Sequence, residues 1–470
     1  MADFGLIVIG AGAAGLSLAA GAAQLGVKTA LIERDRMGGD CLNFGCVPSK
    51  ALLAAGHAAN AIRDAARFGV HAGEPRIDWD AVRAHVHGVI AAIAPNDSEA
   101  RFAALGVTVI RGEARFVDRE SIQVDGRRLT AKRFAVAAGG RAAIPPLPGL
   151  SDIPYWTNTS LFDLAEKPDH LLILGGGPIG LEMADAFAGL GCRVTVVSSG
   201  PIAARDDPEL AAGLRDALIR RGIVLLEGTP AAAAEAGPVL VLADGRRVAG
   251  SHLLVAVGRQ PNTESLNLEA AGVATTKAGI VTDKGLRAPG NRRVWAMGDI
   301  ADPIGIGPYA FTHAGSYHAS LIVRRMLFRL PARLDYSAFP RVTYTHPELA
   351  QTGLTEAEAI AAGHKVNVLR WNLSENDRAI AERDEDGMVK LVVSGNRVIG
   401  AGMLGTNAGE IVGQWTQAIA RKTPVSALAG QIVAYPTRAE AGKRAIGAWF
   451  APKLFAARTR ALVRFLQRFP

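Results

Sequence analysis

Cysteine is scarce in this sequence, at 3 of 470 residues, which excludes a small secreted scaffold stapled by disulfides. Charge is also modest. Charged residues make up 20% and apolar residues 49%, a balance that excludes a disordered polyelectrolyte. Acidic side chains are missing altogether from residues 441–470, where Lys443, Arg444, Lys453, Arg458, Arg460, Arg464 and Arg468 stand alone. That stretch supplies +7 of the formal +8, so the other 440 residues sum to +1. A nucleic-acid binder needs a basic face on a folded module and a recognisable reading element, and neither is present. One long apolar run exists, residues 4–23, with Ser17 as its only polar side chain. It is no membrane span or signal segment. Asp3 precedes it in place of a basic region, it is crowded with glycine, and it lies where a short β run turns into a helix.

What is abundant is glycine, 53 residues against a usual share of about 7%. Its placement is informative. A β-branched run over residues 6–9 leads into Gly10-Ala11-Gly12-Ala13-Ala14-Gly15, an Ala/Leu helical pattern to Gln24, and a strand over residues 29–32 ending at Glu33. Gly10 permits the tight turn, Gly12 lets backbone N–H groups reach a pyrophosphate, and Gly15 lets helix and sheet close. Glu33 is placed to accept hydrogen bonds from an adenosine ribose. The pattern recurs with a strand over residues 171–174, then Gly175-Gly176-Gly177-Pro178-Ile179-Gly180, then a strand over residues 194–197. Here Ser198 stands where Glu33 stood. Two dinucleotides are therefore expected. Losing the carboxylate removes repulsion against a 2′-phosphate, so NADPH is favoured over NADH at the second site, although the nearest downstream basic residue is Arg205.

Three further glycine signals follow strands. Gly139 ends one, ahead of the proline-rich stretch 145–149 that reads as a linker. Gly258 follows a strand over residues 253–257. Gly298-Asp299 closes another, with Asp299 suited to bonding a sugar or ribityl hydroxyl or, on spacing alone, to capping a turn. Beyond residue 340 alternating runs and two helical stretches indicate a separate α+β domain. The expected fold is thus α/β, two Rossmann-like domains plus a C-terminal α+β domain. Its segments are 1–150 and 271–340, 151–270, 341–450, and a basic amphipathic tail, 451–470.

Cys41 and Cys46 lie in Gly38-Gly39-Asp40-Cys41-Leu42-Asn43-Phe44-Gly45-Cys46-Val47-Pro48-Ser49-Lys50. Pro48 suits the first turn of a helix running to about Asn60, so a Cys46 thiolate sits near the positive end of the helix dipole, with Lys50 close by. Zinc would need two further ligands, and Cys192 reads as a buried small hydrophobe, so no metal site is expected. A redox dithiol fits better than a structural disulfide in a chain with no evident targeting signal, expected in the cytoplasm.

The segment 38–50, the two fingerprints, Gly298-Asp299 and Tyr435-Pro436-Thr437-Arg438-Ala439-Glu440 together resemble the flavoprotein disulfide reductases: dihydrolipoamide dehydrogenase, glutathione reductase and mercuric reductase. The resemblance implies FAD in the first nucleotide domain, NAD(P)H in the second, and a homodimer built by the C-terminal domain. It implies that Cys46 is the flavin-proximal thiol and Cys41 the thiol that attacks substrate. Lys50 would approach the flavin and pair with Glu182, and Asp299 would hold the FAD ribityl region. Gly10, Gly12, Gly15, Glu33, Gly39, Gly139 and Asp299 fall to FAD, and Gly175, Gly177, Gly180, Ser198 and Gly258 to the nicotinamide nucleotide or its domain.

The chain departs from the pattern at one place. Disulfide-reducing members carry His-Pro-Thr with a following Glu, the histidine serving as acid/base; here the position is Tyr435, with Glu440 retained. A phenol with a pKa near 10 is a poor base at neutral pH, so turnover of lipoamide or glutathione disulfide is expected to fall by ~10²–10⁴. Tyr435 matches the mercuric reductase branch, yet the cysteine pair that carries mercury there is absent, since no cysteine follows Cys192. The expected activity is NAD(P)H oxidation through FAD and the Cys41/Cys46 pair to a small-molecule acceptor. The rivals are a lipoamide or glutathione-type reductase, a quinone-reducing diaphorase with an idle cysteine pair, a mercuric reductase, and a non-enzymatic redox-dependent binding module. His313 and His346 read as structural. In the tail, Phe455, Leu462, Leu466 and Phe469 are expected on one helical face and Arg460, Arg464 and Arg468 on another. Such a helix would either pack on its own dimer or lie on an anionic membrane surface.

Overall fold

The computed structural model describes residues 2–469, and its contacts divide the chain into two compact units. The first comprises residues 2–169, 233–240 and 248–334. At its centre five parallel strands lie in the order Val294–Ala296, Phe134–Val136, Leu6–Ile9, Thr29–Glu33 and Val107–Arg111, the arrangement of a dinucleotide-binding half-sheet. Every side chain of Leu6–Ile9 is buried, as expected of a central parallel strand covered on both faces, and each such residue contributes about 1.5–3 kcal/mol relative to exposure. Helix α1 (Ala13–Gln24) returns the chain to the second strand. Beyond it, α2 (Gly39–Asn43) and α3 (Cys46–Asp64) follow almost without interruption. Helix α3 runs four residues past the expected end at Asn60 and buries Leu52, Gly56 and Ala59 on one face.

The second unit comprises residues 170–232, 241–247 and 335–469. It repeats the nucleotide-binding plan with parallel strands Val224–Glu227, Arg193–Ser198 and His170–Leu174 and the helix Pro178–Gly189. Cys192 is buried just ahead of the middle strand, as a packing residue should be. Its C-terminal part is a five-stranded antiparallel sheet in the order Pro340–Thr343, Glu348–Gly353, Arg397–Gly405, Met388–Ser394 and Val366–Asn372. Helices Ala408–Ala420 and Glu440–Leu454 share a core with this sheet that contains Val412, Trp415, Ala441, Ala445 and Ile446. A Cβ on Gly442 would lie 2.2 Å from Trp415, so glycine there is what lets the last helix close on the tryptophan.

One expectation about the tail is corrected. Helix Glu440–Leu454 ends on Phe455, Ala456 is extended (φ −62°, ψ 152°), and a new helix spans Ala457–Leu466. Pro452 lies inside the first of these helices, and the break comes after it, at Ala456. Phe455 therefore does not share the face of Leu462, Leu466 and Phe469. Phe465 takes its place, its ring meeting that of Phe469 edge-on at 5.3 Å. Among the described residues no helix is long and apolar enough to cross a membrane.

Candidate active site

Both glycine turns are built for a close neighbour. Gly10 has φ +104° and Gly175 φ +127°, backbone states that favour glycine. A Cβ on Gly15 would sit 1.9 Å from the Gly10 carbonyl oxygen, and one on Gly180 would sit 2.1 Å from that of Gly175. Gly12 and Gly177, the residues that begin the two helices, have no protein atom nearer than 3.9 Å to such a Cβ, and no side chain caps either helix. Each N-terminus is therefore an open cradle of backbone donors at the positive end of a helix, which fits the pyrophosphate of a dinucleotide. Glu33 is buried, and its two oxygens accept the N–H groups of Ala11 (2.6 Å) and Asp35 (2.7 Å). This fixes the carboxylate at the end of its strand with a lone pair on each oxygen to spare for a ribose. Ser198 ends its own strand in register with Glu227, whose carboxylate accepts the Ile202 N–H at 2.6 Å and pairs with Arg215 at 2.8 Å.

Cys46 is the first residue of α3, exposed at the N-terminus of a 19-residue helix, and Cys41 lies half-buried in α2. The Cys46 Sγ is 3.2 Å from the Thr312 Oγ1 at the start of helix Thr312–Ile322. The Cys41 thiol is held well above its ordinary range, first by its hydrogen bond to Cys46 and then by burial, with Thr312 acting in the opposite sense. The pair thus stands in mutual reach, with Cys46 at a helix dipole that favours the anion. A cavity of about 380 Å³ opens on Cys41, lined among others by Leu16, Ile93, Asp97, Arg101 and Thr312. Burial raises the Asp97 carboxyl against the pull of Arg101.

Around Cys41 a polar cluster forms that spacing alone did not indicate. Arg259 donates through Nε to Asp299 Oδ2 (3.0 Å), stands 3.2 Å from Asp40 Oδ2 through Nη1, and donates through Nη2 to the Gly140 carbonyl (2.9 Å). Gly139 (φ +62°) and Gly258 (φ +150°) flank the antiparallel ribbon of Gly140–Ala142 with Arg259–Pro261 that carries this arginine. The strand before Gly258 ends at Val255, two residues short of expectation. Gly39, in the first turn of α2, comes against the first fingerprint, where its Cβ would lie 2.6 Å from the Gly12 Cα. Lys50 donates to the Ser49 hydroxyl at 3.4 Å. Glu182, buried on helix Pro178–Gly189 of the second unit, accepts the Tyr344 N–H at 3.1 Å. His313 lies in the first turn of its helix.

Tyr435 is exposed and donates its hydroxyl to Asp377 at 2.9 Å, which raises the phenol further above its ordinary pKa. Glu440 pairs with Arg444, one turn along the same helix, at 2.8 Å. Asp377, Thr312, Asn158 and Arg259 are the residues that sequence reasoning missed; a residue next to a motif is visible in sequence, but a hydrogen-bonding partner folded in from afar is not. Among the described residues no cluster of three or more His, Cys, Asp or Glu could hold a metal ion.

Comparison with known proteins agrees with this geometry. The family model for pyridine nucleotide-disulphide oxidoreductases matches residues 4–324, and the model for the dimerisation domain of the same family matches residues 339–446. A mercuric reductase of Streptomyces lividans is 36% identical over 457 residues, covering 94% of this chain and 95% of its own. Another, of Acidithiobacillus ferrooxidans, is 36% identical over 456 residues and covers 94% and 81%. Among solved structures, the HOCl-induced flavoprotein disulfide reductase RclA from Escherichia coli superposes with a TM-score of 0.83 at 27% identity, covering 94% of this chain and 99% of its own. LpdA from Mycobacterium tuberculosis gives 0.84 at 27% identity with the same coverage. RclA is also known as a Cu(II) complex.

Proposed function

Given that the chain belongs to the pyridine nucleotide-disulphide oxidoreductase family and is an FAD-dependent NAD(P)H oxidoreductase, we propose that its acceptor is a small thiophilic cation, Hg(II) or Cu(II), reduced at Cys41. The observation that carries this is Tyr435. Reducing a disulfide releases a thiolate that must be protonated, and here the phenol that replaces the imidazole gives its proton to Asp377 in a hydrogen bond. Reducing a soft cation releases no such leaving group. The names of the mercuric reductases and of the RclA–Cu(II) complex support the same class of substrate.

FAD, held by the first glycine turn and Glu33, would supply two-electron transfer between NAD(P)H and the Cys41–Cys46 disulfide. The protein's part lies in the thiols. Cys46 at the start of α3 is stabilised as an anion by the helix and by Thr312, and Cys41 faces the cavity to receive the cation. The Cys41 thiol and the Cys46 thiolate then form a disulfide, the single thiol proton passes to water, and the two electrons reduce one Hg(II) by two or two Cu(II) by one each. The ion is taken directly at Cys41, which opens on the cavity. Lys50 and Glu182 are assigned to the flavin end of the hydride path, and NADPH is the preferred donor because Ser198 presents no carboxylate and Glu227 is already engaged. We read the protein as a homodimer built by its dimerisation domain.

The test is NADPH oxidation against Hg(II), Cu(II), glutathione disulfide, lipoamide and a quinone, with wild type, Tyr435→His and the double Cys41→Ser/Cys46→Ser variant. Cation turnover at least ~10²-fold above disulfide turnover, with disulfide activity appearing in Tyr435→His, is expected. Efficient disulfide turnover by the wild type overturns the reading, as does full quinone turnover without either cysteine.

For the helix Ala457–Leu466 we propose a weak contact with an anionic lipid surface. Leu462, Phe465, Leu466 and Phe469 are exposed, and Arg460, Arg464 and Arg468 lie opposite with no acidic neighbour in residues 441–470. Sedimentation with phosphatidylserine vesicles, with and without residues 451–470, decides it. Loss of dimer stability in the truncated protein with unchanged partitioning would instead assign the helix to a second copy.

A further inference from the structure

We propose that Asp40, Arg259 and Asn158 form a clamp that positions Cys41 when the cysteine pair is reduced, and so sets the stability of the Cys41–Cys46 disulfide. The inference rests on the redox-pair reading above. Helix α2 has five residues, too few to hold its shape alone. In the oxidised pair the S–S bond closes the short loop between residues 41 and 46. In the dithiol that covalent tie is gone once per turnover, and non-covalent ties must keep Cys41 in place.

The ties are specific. Asp40, the residue before Cys41, presents Oδ2 to Arg259 Nη1 at 3.2 Å and accepts on Oδ1 from Asn158 Nδ2 at 2.9 Å. The same Asn158 nitrogen reaches the Phe44 carbonyl at 3.2 Å, so one buried amide grips the loop at both of its ends. Arg259 is itself fixed by Asp299 and by the Gly140 carbonyl, so its fork has a rigid mounting in place of solvent. Gly45 completes the arrangement: a Cβ there would stand 3.0 Å from the Asp40 carbonyl oxygen and 3.2 Å from its Oδ2, so any side chain would press on the clamped residue. The side chains of Asp40, Arg259 and Asp299 are 33%, 18% and 22% exposed, which keeps the ion pairs partly shielded from screening by water and salt. Asp40, Arg259 and Asn158 act through the loop and are positioning residues.

Loosening the clamp lowers the effective concentration of Cys41 at Cys46 and leaves the closed disulfide unchanged in covalent structure, so the disulfide becomes easier to reduce. The experiment equilibrates the FAD-loaded protein with dithiothreitol redox buffers and counts free thiols by alkylation and mass measurement, a readout that needs neither turnover nor a known acceptor. Asp40→Asn and Asn158→Ala are each expected to shift the dithiol–disulfide equilibrium about tenfold towards the dithiol, ~30 mV for this two-electron couple. Cys41 alkylation in the reduced protein should also become several-fold faster. Asp40→Glu, which keeps the charge, should recover part of the shift. Wild-type equilibrium and alkylation rate in both variants would overturn the clamp alone. A wild-type protein that forms no Cys41–Cys46 disulfide would overturn the clamp and the redox-pair reading together.

Discussion

Lys390 lends itself to a quantitative test of how the second unit is held together. Its ammonium lies 2.9 Å from Asp207, 2.8 Å from Glu209 and 2.9 Å from Glu356, and its side chain is only 4% exposed. Asp207 is equally buried, whereas the two glutamates also meet Arg370, at 2.8 and 3.5 Å. Changing Lys390→Met keeps the length and removes the charge. Breaking a buried pair typically costs about 3–5 kcal/mol, because the remaining charge is stranded. Arg370 still serves Glu209 and Glu356, so the stranded group is Asp207 and the lower figure, about 3 kcal/mol, applies. For a cooperative unit of roughly 150–250 residues that is a fall in Tm of about 6–12 °C. The Lys390→Met/Asp207→Asn double variant should recover much of it.

The pH dependence has a fixed sign. Arg370 and Lys390 hold the Glu209 carboxyl down to about 2, below its ordinary 4.5. A depressed folded value adds stability that is complete above about pH 4.5 and is lost as pH falls from there towards 2. The wild-type Tm should therefore fall across that window, and Lys390→Met, which keeps Arg370 on Glu209, should follow the same trend. A fall below about 2 °C at neutral pH, or a double variant no better than the single one, would refute the reasoning.

Three further outcomes follow from the site. Gly15→Ala places a Cβ against the Gly10 carbonyl oxygen at 1.9 Å, and purified protein should carry about tenfold less flavin by absorbance; normal flavin content would show that the cradle is not there. Thr312→Val removes the hydroxyl 3.2 Å from Cys46 Sγ. Alkylation of Cys46 at neutral pH should slow several-fold, since losing a donor disfavours the thiolate, and an unchanged rate would remove Thr312 from that role. Ser198→Glu puts a carboxylate at the end of its strand, and the ratio of kcat/KM for NADPH over NADH should fall at least ~10-fold; an unchanged ratio removes Ser198 from nucleotide selection.

The parts that were legible in sequence are those that backbone geometry dictates locally. Glycine at positions 10 and 15, and again at 175 and 180, is demanded by φ values and close approaches within a single turn, so spacing reveals it. The Cys41–Cys46 segment was legible for the same reason. What stayed hidden were partners brought together by folding: Thr312 lies 266 residues from Cys46, and Asn158 lies 118 from Asp40. The identity of Tyr435 was plain, but its engagement with Asp377, 58 residues away, was not, and that bond decides whether the phenol has a proton to give. Phe455 was misplaced because a helical period was extended through Ala456, whose extended backbone separates the two helices.

A common device underlies the sites that matter most. Arg259 is wedged between Asp40 and Asp299, Lys390 between Asp207, Glu209 and Glu356, and Arg438 between Glu382 and Asp384. In each case a largely buried cation ties its own segment to carboxylates distant from it in sequence. Pairs of this kind add little net stability over apolar packing, because desolvation offsets most of the attraction. Their value is registry, since a cation matched to two or three carboxylates tolerates only one arrangement of the segments that carry them. Arg438 shows the consequence. It stands three residues after Tyr435 in the motif, and its Nη2 lies 2.6 Å from Asp384. Asn376, beside the Asp377 that receives the Tyr435 hydroxyl, donates to the Thr437 carbonyl at 3.0 Å. The segment that bears the altered acid/base position is therefore fixed from two sides, so the phenol is held in its bond to Asp377 by the fold around it. Replacing Tyr435 by histidine changes the chemistry at a position whose backbone stays where it was.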